Sequence, residues 1–334
     1  MRAITVRNPA KIESLTSAEL PDAGSPGPKD IAVRLHASSL NYHDYLVVNG
    51  TIPVEDGRIP MSDGAGEVIA VGSAVTEFAV GDSVVSLFHP RWRAGPLPEA
   101  NFRQVPGDGV DGYAREAVIA PAEWFTRAPR GFSHVEAATL TCAGVTAWRA
   151  LATDGPTLAG QTVLVQGSGG VSVFALQFAK AMGATVIATS STDAKLARLG
   201  ELGADHLINY KTTPDWGAAA FRLTGGVDHV VEIGGPGTLP QSIEAIGIGG
   251  HIALIGVLTG MSGDIPTAKL MGKQGRLQGV SVGSRRDQTD MIAAIEANGI
   301  RPVIDRSFPL ADLADAFRHQ ESGQHFGKIG VDIR

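Results

Sequence analysis

The sequence has little cysteine and no long apolar segment, and both shortages exclude whole classes of protein. One cysteine in 334 residues cannot form an internal disulfide framework and is typical of a reducing compartment. No apolar run reaches membrane-spanning length, and the first residues, MRAITVRNPAKIE, contain no signal-peptide core. We therefore predict a cytoplasmic protein that does not cross a membrane.

Basic residues are fewer than acidic residues in this sequence. The formal net charge is −6, whereas nucleic acids and anionic membranes attract basic surfaces. We therefore predict no nucleic-acid or membrane partner. A hydrophobic content of 43% in a chain of this length is sufficient for two globular domains with separate cores.

What the chain does contain is a glycine turn between a strand pattern and a helix pattern, in TVLVQGSGGVSVFALQFAKAMGATVIATSSTDAK. The apolar residues 163–165 predict a strand buried in a parallel sheet. Gly167, Gly169 and Gly170 follow, so a pyrophosphate can approach the backbone amides that begin the next helix near Val171. Ser172 replaces the third glycine of this fingerprint. The pattern favours a dinucleotide site over an ordinary strand-to-helix turn.

Ser190 is the last residue of the second strand of this unit, at the position that contacts the adenosine ribose. An acidic residue there would bond the 2′-hydroxyl and repel a 2′-phosphate, whereas Ser190 and Ser191 carry no charge. Lys195, near the start of the next helix, can reach a phosphate as a point charge or can be a solvated lysine. The missing carboxylate favours NADPH over NADH.

Strand and helix patterns divide the chain into parts. Up to about Trp124 it shows short strands bounded by glycine. From Ser133 onward, apolar strands alternate with helices, and the strand patterns lie near Val163, Val186, His206, His229, His251 and Leu277. The final segment, ending in the strand KIGVDI, is expected to pack on the first part. We predict an α/β fold in which a doubly wound parallel domain, residues 127–283, is inserted into a mainly β domain, residues 1–126 and 284–334.

Several segments together resemble the medium-chain dehydrogenase/reductase superfamily, specifically its zinc-free quinone oxidoreductase-like branch. They are SSLNYHDYLVVNG, PMSDGAGEVIAVG, AATLTCAGVTAWRAL, the glycine unit, LGADHLINY and HFGKIGVDI, and they cover essentially the whole chain. The resemblance implies a Rossmann cofactor domain within a barrel-like, GroES-like catalytic domain. It also implies a homodimer that extends its sheet through the edge strand LQGVSVGS.

The same resemblance implies that no catalytic zinc is bound. Where zinc-using members carry a cysteine, a histidine-glutamate pair and a second cysteine, this chain has Asn41, then Ser62 with Asp63, and Cys142. One thiol and one carboxylate do not supply the three protein ligands of such a site. The segment RWRAGPLPEANFRQVPGDG likewise offers no cysteine to a structural zinc. Cys142 is expected to be a small buried side chain.

Without a metal, another group must polarise the substrate and deliver a proton. The amide of Asn41 can bond a substrate oxygen or the nicotinamide carboxamide. His43 lies where zinc dehydrogenases begin a proton relay, and it is either an acid near neutral pH or a partly exposed loop histidine. Tyr42 and Tyr45 can donate hydrogen bonds or line an apolar pocket. Leu46 replaces a tyrosine that many quinone reductases carry, which leaves the quinone assignment open.

The resemblance adds residues to the cofactor site. Thr146 corresponds to a residue near the nicotinamide, and Tyr210 to one that packs on the adenosine 2′-phosphate. Gly256 and Val257 follow the fifth strand, at the carboxyl edge where ligands bind in such sheets. These residues support the NADPH prediction.

We therefore predict a zinc-independent, NADPH-dependent oxidoreductase that transfers hydride to a small conjugated carbonyl substrate, either a quinone or an α,β-unsaturated ketone or aldehyde. A conjugated acceptor delocalises the incoming charge and so has less need of a Lewis acid. One alternative is an NAD(P)-dependent alcohol dehydrogenase or carbonyl reductase with His43 or a tyrosine as the acid. Another is a dinucleotide-binding protein without catalytic activity.

Overall fold

The computed structural model describes residues 1–99 and 104–333. The chain separates into two compact units, of which the first combines Met1–Val145 with Gly283–Arg334 and the second is Thr146–Val282. Residues 100–103 of the segment without cysteine, and residue 334 of the predicted C-terminal part, lie outside the described residues. In the described ranges, no helix combines the length and the apolarity needed to cross a bilayer.

The N-terminal part of the first unit is mainly β. Its strands are β1 (Arg2–Val6), β2 (Leu15–Glu19), β3 (Asp30–Ser39), β4 (Ala65–Val71), β5 (Ser83–Ser86), β6 (Ala117–Pro121) and β7 (Phe125–Arg127). Its helices are α1 (Tyr42–Val48), α2 (His134–Ala138), the π-helical turn Leu140–Gly144 and the short 3-10 turns Ile12–Ser14 and Ala122–Trp124. Helix α3 (Val145–Trp148) leads into the second unit.

The second unit alternates strands and helices. After the π-helical turn Arg149–Thr153, its strands are β8 (Thr162–Gln166), β9 (Thr185–Ser190), β10 (His206–Asn209), β11 (Val227–Glu232), β12 (Ile246–Leu254) and β13 (Arg276–Gly279). Its helices are α4 (Gly170–Ala181), α5 (Asp193–Glu201), α6 (Trp216–Thr224), α7 (Leu239–Ala245) and α8 (Thr267–Gly272). The strands pair in parallel in the order β10-β9-β8-β11-β12-β13, so their carboxyl ends meet at one edge of the sheet.

The C-terminal segment completes the first unit. It contains α9 (Arg285–Asn298), β14 (Ile304–Pro309), the 3-10 turn Leu310–Asp312, α10 (Leu313–Glu321) and β15 (Lys328–Asp332). Strand β15 pairs antiparallel with β3, which gives the sheet order β14-β15-β3-β4-β5-β7 with β6 added on β3. The C-terminal segment therefore packs on the first part as expected, and the predicted fold class is confirmed.

Two elements differ from the sequence prediction. Residues 42–48 form helix α1 where only strands and loops were expected, because Asp44 accepts the amide of Asn41 and caps the helix. The sixth strand of the parallel sheet ends at Gly279, and the left-handed φ of 56° at Val282 takes the chain out of extended geometry. Strand β13 forms one edge of the sheet, and a homodimer through it stays a prediction.

The first boundary between the units lies at Val145, whereas the sequence placed it at residue 126. Helix α2 packs its small residues Ala137 and Ala138 against Ala37 of strand β3. Residues 127–145 therefore belong to the core of the first unit, because these apolar contacts are made there.

Two buried histidines face each other on one side of the parallel sheet. His229 in β11 pairs with His251 in β12, which in turn pairs with Arg276 in β13. The two imidazole rings lie 5.7 Å apart, and neither ring nitrogen of His251 has a hydrogen-bond partner among the described residues. Burial, together with Arg276 and His229, lowers the pKa of the His251 imidazole to about 4.

We expect this imidazole to make the stability of the fold depend on pH. The free energy of unfolding should fall as pH decreases from 6.5 to about 4, because only the unfolded chain protonates His251 in that interval. The full loss is roughly 3 kcal/mol. Urea unfolding at neutral pH and at about pH 4.5 should show a smaller loss for His251→Asn, but not for the control His206→Asn on edge strand β10. An unchanged loss in His251→Asn would refute the assignment.

Candidate functional site

The glycine turn lies between strand β8 and helix α4. Gly167 has a left-handed φ of 73°, which a residue with a side chain rarely adopts. Gly169 caps α4, and a Cβ atom built on it would have no neighbour within 4 Å. The amides of Gly170 and Val171 precede the first intrahelical bond, from Val173 N to Gly169 O. Open space therefore lies before the positive end of the helix, which suits a phosphate.

Ser172 explains how the turn tolerates a residue larger than glycine at its third position. The side chain is fully buried, and its hydroxyl donates to the carbonyl oxygen of Gln166 at 2.5 Å. The hydroxyl therefore ties the helix to the end of β8 at the position where close helix-to-strand packing is needed.

The residues predicted to contact the adenosine ribose lie at the carboxyl ends of β9 and β10. Ser190 pairs with Asn209 across these strands, and the amide of Tyr210 donates to the Ser190 carbonyl oxygen at 3.1 Å. Ser190 is buried, whereas Tyr210 is 40% exposed. The carboxylate of Asp193, which sequence reasoning did not consider, accepts a hydrogen bond from Asn209 Nδ2 at 2.7 Å.

Ser191 and Lys195 flank the start of helix α5. Ser191 is partly exposed and directly follows strand β9. Lys195 lies in the first turn of α5, where its backbone amide donates to Thr192 Oγ1 at 3.3 Å. The polar residues chosen from the sequence therefore follow β9 and β10 at the carboxyl edge of the sheet.

Glu232 is a buried carboxylate at the end of β11 that sequence reasoning missed. Its Oε1 atom accepts the amides of Gly234 at 2.8 Å and Gly235 at 3.0 Å. Its Oε2 atom accepts Gln166 Nε2 at 2.7 Å and the Ser242 hydroxyl. Glu232 thus fixes the loop after β11 to the end of β8. The sequence did contain a signal for this role, since a carboxylic acid ends an apolar strand shortly before two glycines.

The loop after β12 lies against this same loop. A Cβ atom on Gly256 would approach the carbonyl oxygen of Ile233 to 2.1 Å, so only glycine permits this contact. Val257 follows directly, and Thr259 Oγ1 donates to Gly234 O at 2.8 Å. Thr146, the first residue of the second unit, is buried in helix α3.

In the first unit, Asp44 organises the chain around the start of helix α1. Its two carboxylate oxygens accept the amides of Asn41 at 2.9 Å and Ser62 at 2.8 Å. The Asn41 side chain in turn donates from Nδ2 to Ser62 Oγ at 3.3 Å. Asn41 and Ser62, two of the positions compared with zinc ligands, are therefore neighbours.

Lys328 in strand β15 joins this cluster, and sequence reasoning missed it. Its ammonium donates to Leu40 O at 2.5 Å and Asn41 Oδ1 at 2.6 Å, and it lies 3.4 Å from Asp63 Oδ2. The same Asp63 oxygen accepts the Ser39 hydroxyl at 2.5 Å. Burial raises the pKa of the Asp63 carboxyl to about 6 against the opposing effect of Lys328.

His43 lies in helix α1, so its interpretation as a loop residue is wrong. The Nε2 atom is 3.0 Å from Asp108 Oδ2, and Nδ1 is 3.6 Å from Asp44 Oδ1. Burial opposes protonation, but the hydrogen bond with Asp108 and the nearby Asp44 carboxylate raise the pKa of the imidazole to about 9. The expected acid that titrates near neutral pH is therefore replaced by an imidazolium held between two carboxylates.

The two tyrosines lie on the outer side of helix α1. Their rings stack at 5.9 Å, and Tyr42 is 38% exposed. The Tyr45 hydroxyl donates to Glu321 Oε1 at 2.7 Å, and this bond raises the pKa of the phenol. The Tyr45 hydroxyl is thus engaged with helix α10, and the Tyr45 backbone amide donates to the Asn41 carbonyl oxygen at 3.2 Å.

The donor set at the compared zinc positions is an amide, a hydroxyl, a carboxylate bonded to an ammonium, and one thiol. Cys142 is partly exposed, not buried as expected. Within residues 1–99 and 104–333, no group of three histidine, cysteine, aspartate or glutamate side chains is arranged to hold a metal ion. Asp63, moreover, already has a cation as its neighbour.

Comparisons with known proteins give consistent similarities. The family model described as alcohol dehydrogenase GroES-like domain matches residues 27–130, and the model described as zinc-binding dehydrogenase matches residues 170–297. A zinc-type alcohol dehydrogenase-like protein of Schizosaccharomyces pombe is 40% identical over 326 residues, which cover 94% of this chain and 93% of that protein.

Solved structures show the same likeness. An NAD-dependent alcohol dehydrogenase has a TM-score of 0.91 and 34% identity, with 100% of both chains covered. A mycobacterial protein solved in complex with NADPH has a TM-score of 0.83 and 25% identity, again with 100% of both chains covered.

Proposed function

Since the chain belongs to the medium-chain dehydrogenase/reductase superfamily of oxidoreductases, we propose that it reduces a small conjugated carbonyl compound with NADPH and without a catalytic zinc. The observation that carries the zinc-free proposal is the Lys328 ammonium beside Asp63 and Asn41. A cation bonded at these positions repels a second cation and occupies oxygen atoms that a metal would need.

The cofactor part of the proposal rests on the carboxyl edge of the parallel sheet. The amides at the start of α4 would bind the pyrophosphate, and the open space at Gly169 admits it. Ser190 has no charge to repel a 2′-phosphate, Tyr210 supplies an exposed ring, and Lys195 supplies a positive charge. When bound, the nicotinamide supplies the hydride.

The chain's own contribution to the reaction is the buried polar cluster of the first unit. The Asn41 amide would donate to the acceptor oxygen and so stabilise the negative charge that develops on it. A neutral amide is a weaker electrophile than zinc, and conjugation in the substrate reduces the stabilisation required. Asp44 and Lys328 hold Asn41 in place, which limits the reorganisation needed during reaction.

NADPH oxidation measured against panels of quinones, enones and simple ketones tests this function. We expect turnover of quinones or enones, weak turnover of simple ketones, and no stoichiometric zinc by elemental analysis of active protein. Turnover confined to simple ketones, or zinc bound at one ion per chain, would contradict the proposal.

The second candidate is an alcohol dehydrogenase or carbonyl reductase. The named relatives favour it, and His43 would be its proton donor. Efficient reduction of simple ketones in the same assay would identify it. Tight NADPH binding with no turnover of any acceptor would instead identify a non-catalytic dinucleotide-binding protein.

A further inference from the structure

Lys328 is a buried lysine, with only 4% of its side chain exposed. Lysine is almost never buried to this extent unless its charge is paired. An ammonium group carries three hydrogens, and three acceptors surround this one: Leu40 O, Asn41 Oδ1 and Asp63 Oδ2. The number of donors therefore matches the number of acceptors.

The pairing of strand β15 with strand β3 determines where this ammonium lies. Gly330 pairs with Ser39 between β15 and β3, and the Leu40 amide donates to Ile329 O at 3.0 Å. Lys328 thus lies beside the point where the chain leaves β3 and enters α1. A side chain on a paired strand is held more rigidly than one on a loop.

The ammonium fixes the orientation of the Asn41 carboxamide. Because Lys328 is only a donor, the amide atom facing it must be the oxygen, and Nδ2 then points toward Ser62 Oγ. Without the lysine, the amide could rotate and present its oxygen to a substrate carbonyl, which would repel it.

We propose that Lys328 is a positioning residue that holds the Asn41 amide with its nitrogen available as a hydrogen-bond donor to the substrate oxygen. This inference rests on the proposed function. It differs from a second role that the geometry also allows, in which Lys328 only neutralises the buried Asp63 carboxylate. Removing one partner of a buried ion pair destabilises a fold, whereas replacing both by neutral residues often does not.

The two roles separate in a set of variants. Lys328→Met removes the ammonium, Asp63→Asn with Lys328→Met removes both charges, and Asn41→Ala removes the amide. Lys328→Arg keeps the positive charge but replaces the compact ammonium by a planar guanidinium. This variant provides the test if the methionine variants do not fold. Lys273→Met is the matched control, because the Lys273 ammonium likewise donates to carbonyl oxygens, those of Glu244 and Ile246, but lies in the second unit.

We expect Lys328→Met and Asn41→Ala each to lower kcat about 100-fold, with their combination no worse than either alone, because both remove the same oriented donor. The double-charge variant, in which Asp63→Asn and Lys328→Met remove both charges, should recover the wild-type unfolding midpoint in urea but not the wild-type activity. Lys328→Arg should fold and lose activity, and Lys273→Met should keep it. NADPH affinity, measured by fluorescence titration, should stay unchanged in all of them.

A readout that needs no turnover comes from urea unfolding of the same proteins. The effects of Lys328→Met and Asn41→Ala should not add there, because the two side chains are bonded. Recovery of kcat in the double-charge variant, full activity of Lys328→Arg, or additive losses would overturn the positioning role. Wild-type protein that turns over no acceptor would contradict the proposed function itself, and the unfolding cycle would still test the contact.

Discussion

Valine in place of Gly169 should weaken NADPH binding by at least about 100-fold, because its side chain would keep the charged pyrophosphate away from the amides at the start of α4. The Cβ atom at this position points into open space before helix α4, and the backbone already has an ordinary φ of −79°. The substitution therefore meets no obstacle within the protein and blocks only what enters from outside. Fluorescence titration with NADPH measures the loss.

Gly272→Val provides the matched control. Gly272, at the end of helix α8, also has no atom within 4 Å of an added Cβ. Both valine variants should unfold at nearly the wild-type urea concentration, and only Gly169→Val should lose cofactor. If Gly169→Val bound NADPH normally, the pyrophosphate could not lie before α4.

Aspartate in place of Ser190 should reverse the cofactor preference. A carboxylate at the end of β9 would repel a 2′-phosphate and accept the 2′-hydroxyl of NADH. We expect kcat/KM with NADPH to fall about 100-fold, and kcat/KM with NADH to hold or rise.

Ser190→Asn, which is similar in size to aspartate but uncharged, controls for disturbance of this buried position. It should retain NADPH preference, since it introduces no repulsion. Equal losses with both cofactors in Ser190→Asp would show a damaged fold and not a changed selectivity. A wild type that prefers NADH would contradict the assignment of Ser190.

The sequence allowed the parallel sheet and the glycine turn to be predicted because their signals are local. Residues 163–165 are a buried apolar run, and the glycines that follow are within a few positions. Helix α1 was missed because YHDYLVV is too short to show helical periodicity, and a capping carboxylate establishes the helix instead.

The environment of the polar cluster could not be predicted, because it depends on contacts between distant parts of the chain. Lys328 is 287 residues from Asn41, and Asp108 is 65 residues from His43. No periodicity in the sequence reports such pairings. The expected protonation of His43 changed for this reason, since Asp108 had to be located in three dimensions, although Asp44 directly follows His43.

The pairing of β15 with β3 has a consequence for the order of synthesis on the ribosome. Every strand of the parallel sheet has been translated by residue 279, so the second unit can fold while the chain is still growing. The hydrogen bond from Lys328 to Asn41 cannot form until Lys328 has been translated, 287 residues after Asn41. During that interval Asp63 lacks the counter-ion that it has in the folded protein, although every strand of the parallel sheet is already present.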